Sequence, residues 1–308
     1  MLDQTKIVIA GIGGVGGYFG GLLANEYAQR NTVQIFFIAR GKHLEQIREQ
    51  GLKVINGDES FVAKPYLATS DPSEIGIADF VIICTKNYDL KSILEQLKPC
   101  IDKNTILLPL LNGVQATEKI QEVFPKNLVL KGCAYIVSTI KAPGVIQNMG
   151  HNQKIYFGLD NYSEDRLTSL EKILVNAGIS ATLSTNISSV IWEKFIFLSC
   201  IATATSYFDS TIGKLLEEHR EMLIELIREV KTIAVSKNIA VDPEIIEKSI
   251  SHYETLPYDA TSSMHRDYLS SSSKTELESL TGYVVNEGKR LNIETPLFST
   301  AYKSLLSR

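Results

Sequence analysis

The stretch KIVIAGIGGVG, residues 6–16, decides the fold of this 308-residue chain. An apolar run typical of a buried strand ends in three glycines spaced G-x-G-x-x-G, and a helix-like sequence beginning near Gly14 follows. Gly11 allows a tight turn, Gly13 lets the backbone approach a pyrophosphate, and Gly16 lets the helix pack closely on the sheet. The alternative is a glycine-rich turn that binds no ligand. In this context the pattern predicts a dinucleotide-binding loop made of Gly11, Ile12, Gly13, Gly14, Val15 and Gly16.

The composition predicts a soluble globular protein of two domains. Hydrophobic residues make up 44% and charged residues 21% of the chain. A net charge of −4 argues against a broad nucleic-acid surface. The four cysteines are widely spaced and form no C-x-x-C pair, which predicts reduced thiols and neither a disulfide framework nor a zinc site. The first residues do not have the pattern of a secretion signal. We therefore expect a cytoplasmic protein.

The first half of the chain alternates strand-like and helix-like segments. Compact apolar runs predict parallel strands that are covered on both faces, at residues 7–10, 34–39, 80–84 and 105–111. Helices are predicted between them, at residues 15–29, 44–50, 90–97 and 116–123. This alternation predicts an α/β fold with a Rossmann-type, doubly wound parallel sheet. Shorter strands over residues 128–158, a helix at 166–176 and a strand at 179–183 complete it.

Strand patterns disappear in the rest of the chain, and helices are predicted at residues 187–207, 212–237, 243–251 and 275–290. We expect an NADP-binding Rossmann domain over residues 1–185 and an all-helical substrate and catalytic domain over residues 186–308. The apolar run 190–208 carries Glu193 and Lys194, which a membrane span would tolerate poorly, so it predicts a buried helix. The polar segment 251–274 predicts a solvated loop or a lip over a cleft, with His265 as a partly exposed loop residue.

The end of the second predicted strand indicates which nicotinamide cofactor binds. In NAD-specific folds an acidic residue at this point forms a hydrogen bond with the ribose hydroxyls. Here the strand is followed by Arg40, Gly41, Lys42 and His43, without a carboxylate. Arg40 and Lys42 can pair with a 2′-phosphate, which predicts NADP (NADPH). The alternative is a basic turn that caps a surface strand.

Further short motifs follow the glycine loop in a fixed order: ARGKHL at 39–44, CTK at 84–86, NGV at 112–114, WEK at 192–194, SSM at 262–264, TEL at 275–277 and TP at 295–296. By their order and spacing the chain resembles the ketopantoate reductase family (2-dehydropantoate 2-reductases) over essentially its whole length. The resemblance implies a nucleotide-binding domain followed by a helical domain like that of 6-phosphogluconate dehydrogenases. It also implies NADPH-dependent reduction of 2-dehydropantoate to pantoate, in pantothenate biosynthesis.

The resemblance implies roles for five residues. Lys86 and Asn112 match positions that line the cofactor cleft, and Asn112 is also expected to contact substrate. Lys194 matches the catalytic lysine, which stabilises charge on the carbonyl oxygen and donates a proton. Ser263 matches the serine that holds the polar end of the substrate, and Glu276 the carboxylate beside the reacting group. The structural alternatives are a snorkelling lysine, a loop or helix-cap serine, and an exposed acid at a helix N-terminus.

Three positions depart from the family pattern. The family usually has asparagines four and eight residues after the catalytic lysine and another near a later glycine, where this chain has Leu198, Ala202 and Ile212. Apolar side chains in place of three amides predict a changed substrate-recognition shell. The hydroxyl side chains that could replace part of it are those of Ser199, Thr203 and Thr205.

Three functions follow from these observations. The first is reduction of 2-dehydropantoate, and the second is reduction of a different, less hydroxylated 2-keto acid or related carbonyl on the same scaffold. The third is a non-enzymatic NADP-sensing module. Lys194 and Glu276 favour the first two, because a sensor needs no proton donor. The expected partners are a small 2-keto acid and a second copy of the chain in a homodimer, and no nucleic acid, membrane or metal ion is expected.

Overall fold

The computed structural model describes residues 4–30, 32–150, 153–270 and 274–308. The chain divides into two compact units. The first unit comprises Met1–Leu111 and Ala116–Ile187, and the second comprises Asn112–Gln115 and Ser188–Arg308. The short segment Asn112–Gln115 therefore groups with the helical unit, although it lies within the first half of the chain.

The first unit alternates strands and helices in chain order. Its strands are β1 (Thr5–Ala10), β2 (Val33–Ile38), β3 (Leu52–Asn56), β4 (Glu59–Ala63), β5 (Leu67–Thr69), β6 (Phe80–Ile83), β7 (Ile106–Pro109), β8 (Lys131–Tyr135), β9 (Ser138–Ala142), β10 (Val145–Asn148), β11 (Lys154–Gly158) and β12 (Ser180–Ser184). Its helices are α1 (Gly14–Tyr27), α2 (Gly41–Gln50), α3 (Leu90–Leu97), α4 (Ala116–Val123) and α5 (Asp165–Asn176).

A parallel sheet with the strand order β5-β2-β1-β6-β7 forms the centre of the first unit. Successive residues of β1 point to opposite faces, so Ile7 and Ile9 pack in a cluster with residues of α1, whereas Val8 and Ala10 pack with residues of α3. Both faces are thus covered, as the apolar runs predicted. The strand order reverses at β1, and ligands bind α/β sheets at the carboxyl end of the strands at such a switch point. The predicted doubly wound sheet is confirmed.

Two smaller sheets, with the orders β4-β3-β10-β9 and β12-β11-β8, also belong to the first unit. The hairpin of β3 and β4 is not among the elements predicted from the sequence. Its alternation is weak, because Leu52, Val54 and Ala63 are its buried residues and the other positions are partly or fully exposed. Gly57, with φ of +61°, forms the turn between the two strands.

The second unit is helical in the part that the structure describes, as predicted. Its helices are α6 (Ile187–Phe208), α7 (Ile212–Glu218), α8 (Arg220–Ser236), α9 (Ile245–Glu254), α10 (Ser263–Leu269), α11 (Tyr283–Leu291) and α12 (Pro296–Leu306). A π-helical turn, Glu278–Gly282, precedes α11. Of the described helices, α6 is the one that is long and apolar enough to cross a membrane, and 67% of its most apolar window is buried within the protein. Such burial is typical of a core helix.

Three predicted segments differ in the structure. The helix predicted over residues 212–237 is interrupted at His219, whose backbone leaves helical geometry and whose ring stacks on Phe208 with centroids 3.8 Å apart. The segment 251–274 is not one loop, because α9 extends into it and α10 lies within it. Residues 271–273 of that segment lie outside the described residues. The helix predicted over 275–290 begins with the π-helical turn.

Helix α12 was not predicted. Its N-terminus is capped by a side chain that is distant in sequence. The Glu229 carboxylate on α8 accepts the N–H groups of Leu297 at 2.9 Å and Phe298 at 3.1 Å. These N–H groups belong to the first turn, which has no partner within its own helix. Burial raises the pKa of Glu229, and the two hydrogen bonds oppose that rise.

Candidate active site

The loop after β1 is shaped by its glycines. Gly11 has φ of +96°, a region that favours glycine, and a Cβ there would lie 2.8 Å from Thr85 Cγ2. A Cβ on Gly16 would overlap the Gly11 carbonyl oxygen, so the start of α1 contacts the end of β1 directly. A Cβ on Gly13 would meet no described atom within 4 Å. The three positions have the geometry that a pyrophosphate-binding loop needs, and the binding itself stays a prediction.

The N-terminus of α1 follows the loop directly. Gly13 is the N-cap, and within the described residues no side chain caps the helix, so the N–H groups of its first turn are left for another acceptor. Ser138 on β9 packs against Gly14. The hydroxyl oxygens of Ser138 and Thr85 are buried and have no hydrogen-bond partner in the part of the chain that the structure describes. A helix N-terminus with two unsatisfied hydroxyls nearby fits the pyrophosphate of a dinucleotide.

Sequence reasoning missed both hydroxyls. Thr85 lies inside the CTK motif at the carboxyl end of β6, so the motif was a signal that could have identified it. Ser138 comes from β9, which lies far from the glycine loop in the sequence, and nothing in its own neighbourhood marks it. Its position depends on the packing of β9 and β10 against α1, where Cβ atoms on Gly14 and Gly17 would overlap Ser138 and Ile146.

Arg40 and Lys86 lie at the carboxyl ends of β2 and β6, the two strands that flank β1. The Arg40 side chain is 82% exposed, and its Nη2 donates to Oδ2 of Asp89 at 3.1 Å. Asp89 belongs to the 3₁₀ turn Asn87–Asp89, whose N-cap is Lys86. One short turn thus connects the two predicted cofactor residues. An exposed guanidinium can offer further N–H groups to a 2′-phosphate, and exposed Lys42 lies close by in sequence.

His43 of the same basic stretch has a structural role. Its Nδ1 accepts the Gly144 N–H at 2.9 Å, which joins α2 to the turn between β9 and β10. Burial lowers the pKa of His43, which favours the neutral ring that this acceptor role requires. The cationic groups of the stretch near neutral pH are therefore Arg40 and Lys42.

In the second unit, α6 carries Lys194. Its Nζ donates to Oδ1 of Asn112 at 3.1 Å, across 82 positions of sequence. Asn112 belongs to the segment Asn112–Gln115, in which Gly113 has φ of +91° and would place a Cβ 3.2 Å from the Ser279 carbonyl oxygen. The structure thus brings together two residues that the sequence predicted separately, and Lys194 is half-buried with its ammonium group held by an amide.

Glu276 lies just before the π-helical turn and is 2% exposed. The alternative of an exposed acid at a helix N-terminus is therefore wrong. The Glu276 carbonyl accepts the N–H groups of Ser279 at 3.2 Å and Leu280 at 3.1 Å. A carboxylate buried to this extent needs polar partners, so its position is tied to the structure around it.

Ser263 is the first residue of α10 and is half-buried. The N-cap is its neighbour Ser262, whose Oγ accepts the His265 N–H at 3.1 Å. The prediction that His265 is a partly exposed loop residue is wrong, because it lies on α10 and is 5% exposed. Its Nε2 lies 2.8 Å from Oδ1 of Asp209, and its Nδ1 is hydrogen-bonded to Thr261 Oγ1.

Comparison with known proteins agrees with the fold and the motifs. The profile of the ketopantoate reductase PanE/ApbA family matches residues 7–161, and the profile of its C-terminal domain matches residues 186–307. The chain belongs to the ketopantoate reductase family. It is therefore an oxidoreductase, and the resemblance stated from the motifs is confirmed.

Three relatives show the range of this similarity. The uncharacterized oxidoreductase YkpB of Bacillus subtilis (strain 168) is 31% identical over 97% of both chains. A solved 2-dehydropantoate 2-reductase from Porphyromonas gingivalis W83 is 35% identical, with a TM-score of 0.88 over 99% of this chain and 100% of that one. A D-mandelate dehydrogenase, solved with NADH and anilino(oxo)acetate, is 25% identical, with a TM-score of 0.83 over 98% of both chains.

The positions at which this family member departs from the expected asparagines are apolar and mostly buried. Ala202 is 1% and Ile212 3% exposed, and Leu198 is half-buried. The hydroxyls that could replace part of that shell are already engaged in two cases. Thr203 is paired with Thr281, and Thr205 with Ser262. The Ser199 hydroxyl is buried and has no hydrogen-bond partner among the described residues.

Proposed function

We propose that the protein reduces 2-dehydropantoate to pantoate with NADPH, as a step of pantothenate biosynthesis in the cytoplasm. The observation that carries the proposal is the hydrogen bond of 3.1 Å from Lys194 Nζ to Asn112 Oδ1, in a chain of this family. It holds an ammonium group in place on a largely apolar helix. A cytoplasmic location is supported by the four cysteines, all of which are free thiols.

The proposed reaction is a hydride reduction with a lysine as general acid. When bound at the glycine loop, NADPH supplies the hydride that forms the new C–H bond at the keto carbon. The electron pair of the carbonyl double bond then resides on oxygen. Lys194 stabilises this charge and donates the Nζ proton, which completes the hydroxyl group, and a positioned acid of this kind contributes about 10²–10⁴ in rate.

Three other residues have supporting roles in this proposal. Asn112 accepts a hydrogen bond from Lys194 and so orients the ammonium group. Glu276 orients Lys194 or forms a hydrogen bond with a substrate hydroxyl, and Ser263 holds the polar end of the substrate. In the first unit, Arg40 binds the 2′-phosphate and so favours NADPH over NADH.

A second candidate is reduction of a less hydroxylated 2-keto acid. It is favoured by the buried apolar residues Ala202 and Ile212 and by the engagement of Thr203 and Thr205 in internal pairs. A site with apolar residues in place of these family asparagines gains less from substrate hydroxyls, because a buried hydroxyl without a partner is unfavourable. The similarity to a D-mandelate dehydrogenase supports this candidate, since that protein was solved with anilino(oxo)acetate, which bears an aromatic anilino group.

Oxidation of NADPH by the purified protein tests both candidates. The substrates are 2-dehydropantoate, a branched aliphatic 2-keto acid and an aromatic 2-keto acid, each with NADPH and with NADH, and Lys194→Ala gives the background. A kcat/KM highest for 2-dehydropantoate supports the first candidate. Preference for an apolar keto acid supports the second. Tight NADPH binding with no turnover of any substrate would contradict both and favour an NADP sensor.

A further inference from the structure

The C-terminal half of α6 carries two threonines whose side chains are completely buried. Thr203 and Thr205 are each 0% exposed, within a helix that is otherwise rich in apolar residues. A buried hydroxyl is unfavourable unless it has a hydrogen-bond partner, so the side chains that pair with these two hydroxyls matter for the stability of their surroundings. Both partners lie close in sequence to a residue that the proposed function places at the substrate.

Thr203 connects α6 to the π-helical turn that follows Glu276. Its Oγ1 lies 2.7 Å from Oγ1 of Thr281, which is also 0% exposed. Within this segment the N–H groups of Ser279 and Leu280 donate to the Glu276 carbonyl. The Thr203–Thr281 pair therefore attaches to α6 the turn that is hydrogen-bonded to the backbone of Glu276. π-helical turns are uncommon and occur frequently at functional sites.

Thr205 connects α6 to the start of α10. Its hydroxyl donates to the Ile201 carbonyl at 2.7 Å, and a hydroxyl has one proton to donate. Ser262 must therefore be the donor in the 2.8 Å pair between Ser262 Oγ and Thr205 Oγ1. Ser262 also accepts the His265 N–H at 3.1 Å, so the N-cap of α10 is held in both directions. The next residue is Ser263.

We infer that Thr203 and Thr205 are positioning residues, which hold Glu276 and Ser263 in place relative to Lys194 on the same helix. The inference rests on the proposed function for the roles of those three residues. The two pairs act on different segments, so they have different kinetic signatures. Loss of the Thr203–Thr281 pair affects the carboxylate beside the reacting group and lowers kcat. Loss of the Thr205–Ser262 pair affects the residue that holds substrate and raises KM.

The Thr203–Thr281 pair is tested with Thr203→Val, Thr281→Val, the double variant and Thr203→Ser. A displaced carboxylate is expected to lower kcat of Thr203→Val about 10- to 100-fold and to change its pH profile. The double variant removes both hydroxyls, so it is expected to regain stability, but kcat stays low. Thr203→Ser keeps the hydroxyl and regains most of kcat. A double variant with the kcat and pH profile of the unmodified protein would show that the pair is only structural.

The Thr205–Ser262 pair is tested with Thr205→Val and Thr205→Ser. We expect Thr205→Val to raise KM for the keto acid about tenfold, with much less change in kcat, and Thr205→Ser to reverse the effect. The matched control is Thr232→Val on α8, an exposed threonine whose hydroxyl donates to the Arg228 carbonyl at 2.8 Å. An unchanged KM in Thr205→Val would overturn this half of the inference.

Amide hydrogen exchange of the full-length protein gives a second readout that does not depend on turnover. Thr203→Val is expected to accelerate exchange over residues 277–283 and to leave residues 262–266 unchanged. Thr205→Val is expected to do the reverse. Unaltered exchange in both variants would overturn the inference even if the protein reduces 2-keto acids. Conversely, if the unmodified protein reduces no keto acid but exchange is still accelerated in the two variants, the proposed function is refuted and the two attachments are retained.

Discussion

The two units place their proposed functional groups by different means. In the first unit the nucleotide loop is mainly backbone, built from a turn at Gly11, a close approach at Gly16 and the N-terminus of α1. In the second unit the groups are side chains, from α6, the segment Asn112–Gln115, α10 and the residues before the π-helical turn. The fold of the first arrangement is therefore sensitive to a Cβ added at Gly11 or Gly16. The second is sensitive to the loss of individual polar groups, and the two units call for different experiments.

The largest expected effect concerns the ammonium group of the second unit. Lys194→Ala removes the proposed proton donor, so kcat is expected to fall about 10²–10⁴-fold. The dissociation constant for NADPH should stay within about twofold, because the nucleotide loop belongs to the first unit. Steady-state kinetics and a nucleotide titration measure the two quantities.

The control for this prediction is Lys214→Ala on α7, an exposed lysine whose Nζ lies 3.9 Å from Glu218. It makes the same change of charge and length on a helix of the same unit, and it should retain full turnover. Undiminished turnover by Lys194→Ala would remove Lys194 from the mechanism. A parallel loss of NADPH affinity would contradict the separation of the two roles.

The next effect compares alanine substitutions at two glycines of the nucleotide loop, of which Gly16 is needed for packing and Gly13 is expected to contact the pyrophosphate. A Cβ on Gly16 overlaps the Gly11 carbonyl oxygen, and overpacking of this kind costs up to about 3 kcal/mol in the free energy of unfolding. Gly16→Ala should therefore be measurably less stable in urea unfolding. Gly13→Ala should keep its stability, because the added methyl group meets no described atom within 4 Å and φ of −89° suits alanine.

The two glycine variants also differ in what their nucleotide affinity reveals. Gly13→Ala places a methyl group where the pyrophosphate is expected, so NADPH binding should weaken although the fold is intact. Stable Gly13→Ala with unaltered NADPH affinity would show that the pyrophosphate does not approach this residue. Calorimetry of the folded variant with NADPH makes this measurement.

The sequence predicted most of the first unit because its signals are local. The turn at Gly11 and the helix start at Gly14 follow each other directly, and the apolar runs of β1 and β2 are continuous. The second unit depends on partners that are distant in sequence. Helix α12 is capped by Glu229 from α8, and the π-helical turn is attached through Thr203. No local pattern encodes these two interactions. The start of α12 did carry a local signal, because Pro296 lies in its first turn, directly after Thr295.

The site residues show the same limit. Lys194 and Asn112 were recognised by motif, but their hydrogen bond crosses 82 positions and could not be deduced from either neighbourhood. The burial of Glu276 could not be predicted either, because its neighbours in sequence are mostly polar and are typical of an exposed helix start. His265 was misjudged for the same reason, since the polar residues around it concealed a short helix that buries its ring.

A smaller effect concerns Arg40, whose side chain is proposed to bind the 2′-phosphate. A charged hydrogen bond contributes about 1.5–3 kcal/mol, so Arg40→Asp should weaken NADPH binding about 10- to 100-fold. NADH lacks the 2′-phosphate, and its affinity should change far less. The control is Arg30→Asp, an exposed arginine paired with Glu26 at the other end of α1. Equal losses for the two nucleotides would show that Arg40 does not contact the 2′-phosphate.

The smallest effect tests whether charge pairs also stabilise the second unit. Glu287 on α11 contacts Lys237 and accepts two hydrogen bonds from Arg290, and the Arg290 bonds are the main cause that lowers the pKa of Glu287 to about 2. A lowered pKa stabilises the folded protein at pH values above 4.5, the ordinary pKa of a glutamate, and this contribution is lost as pH falls toward 2.

Glu287→Gln should therefore reduce the free energy of unfolding by about 2 kcal/mol at pH 7, with solvent screening allowed for, and have little effect at about pH 2. Glu225→Gln, which removes an exposed carboxylate paired with Arg228 on α8, should change little at either pH. Urea unfolding at both pH values distinguishes the cases, and a Glu287 effect that is independent of pH would mean that its packing, rather than its charge, connects α8 to α11.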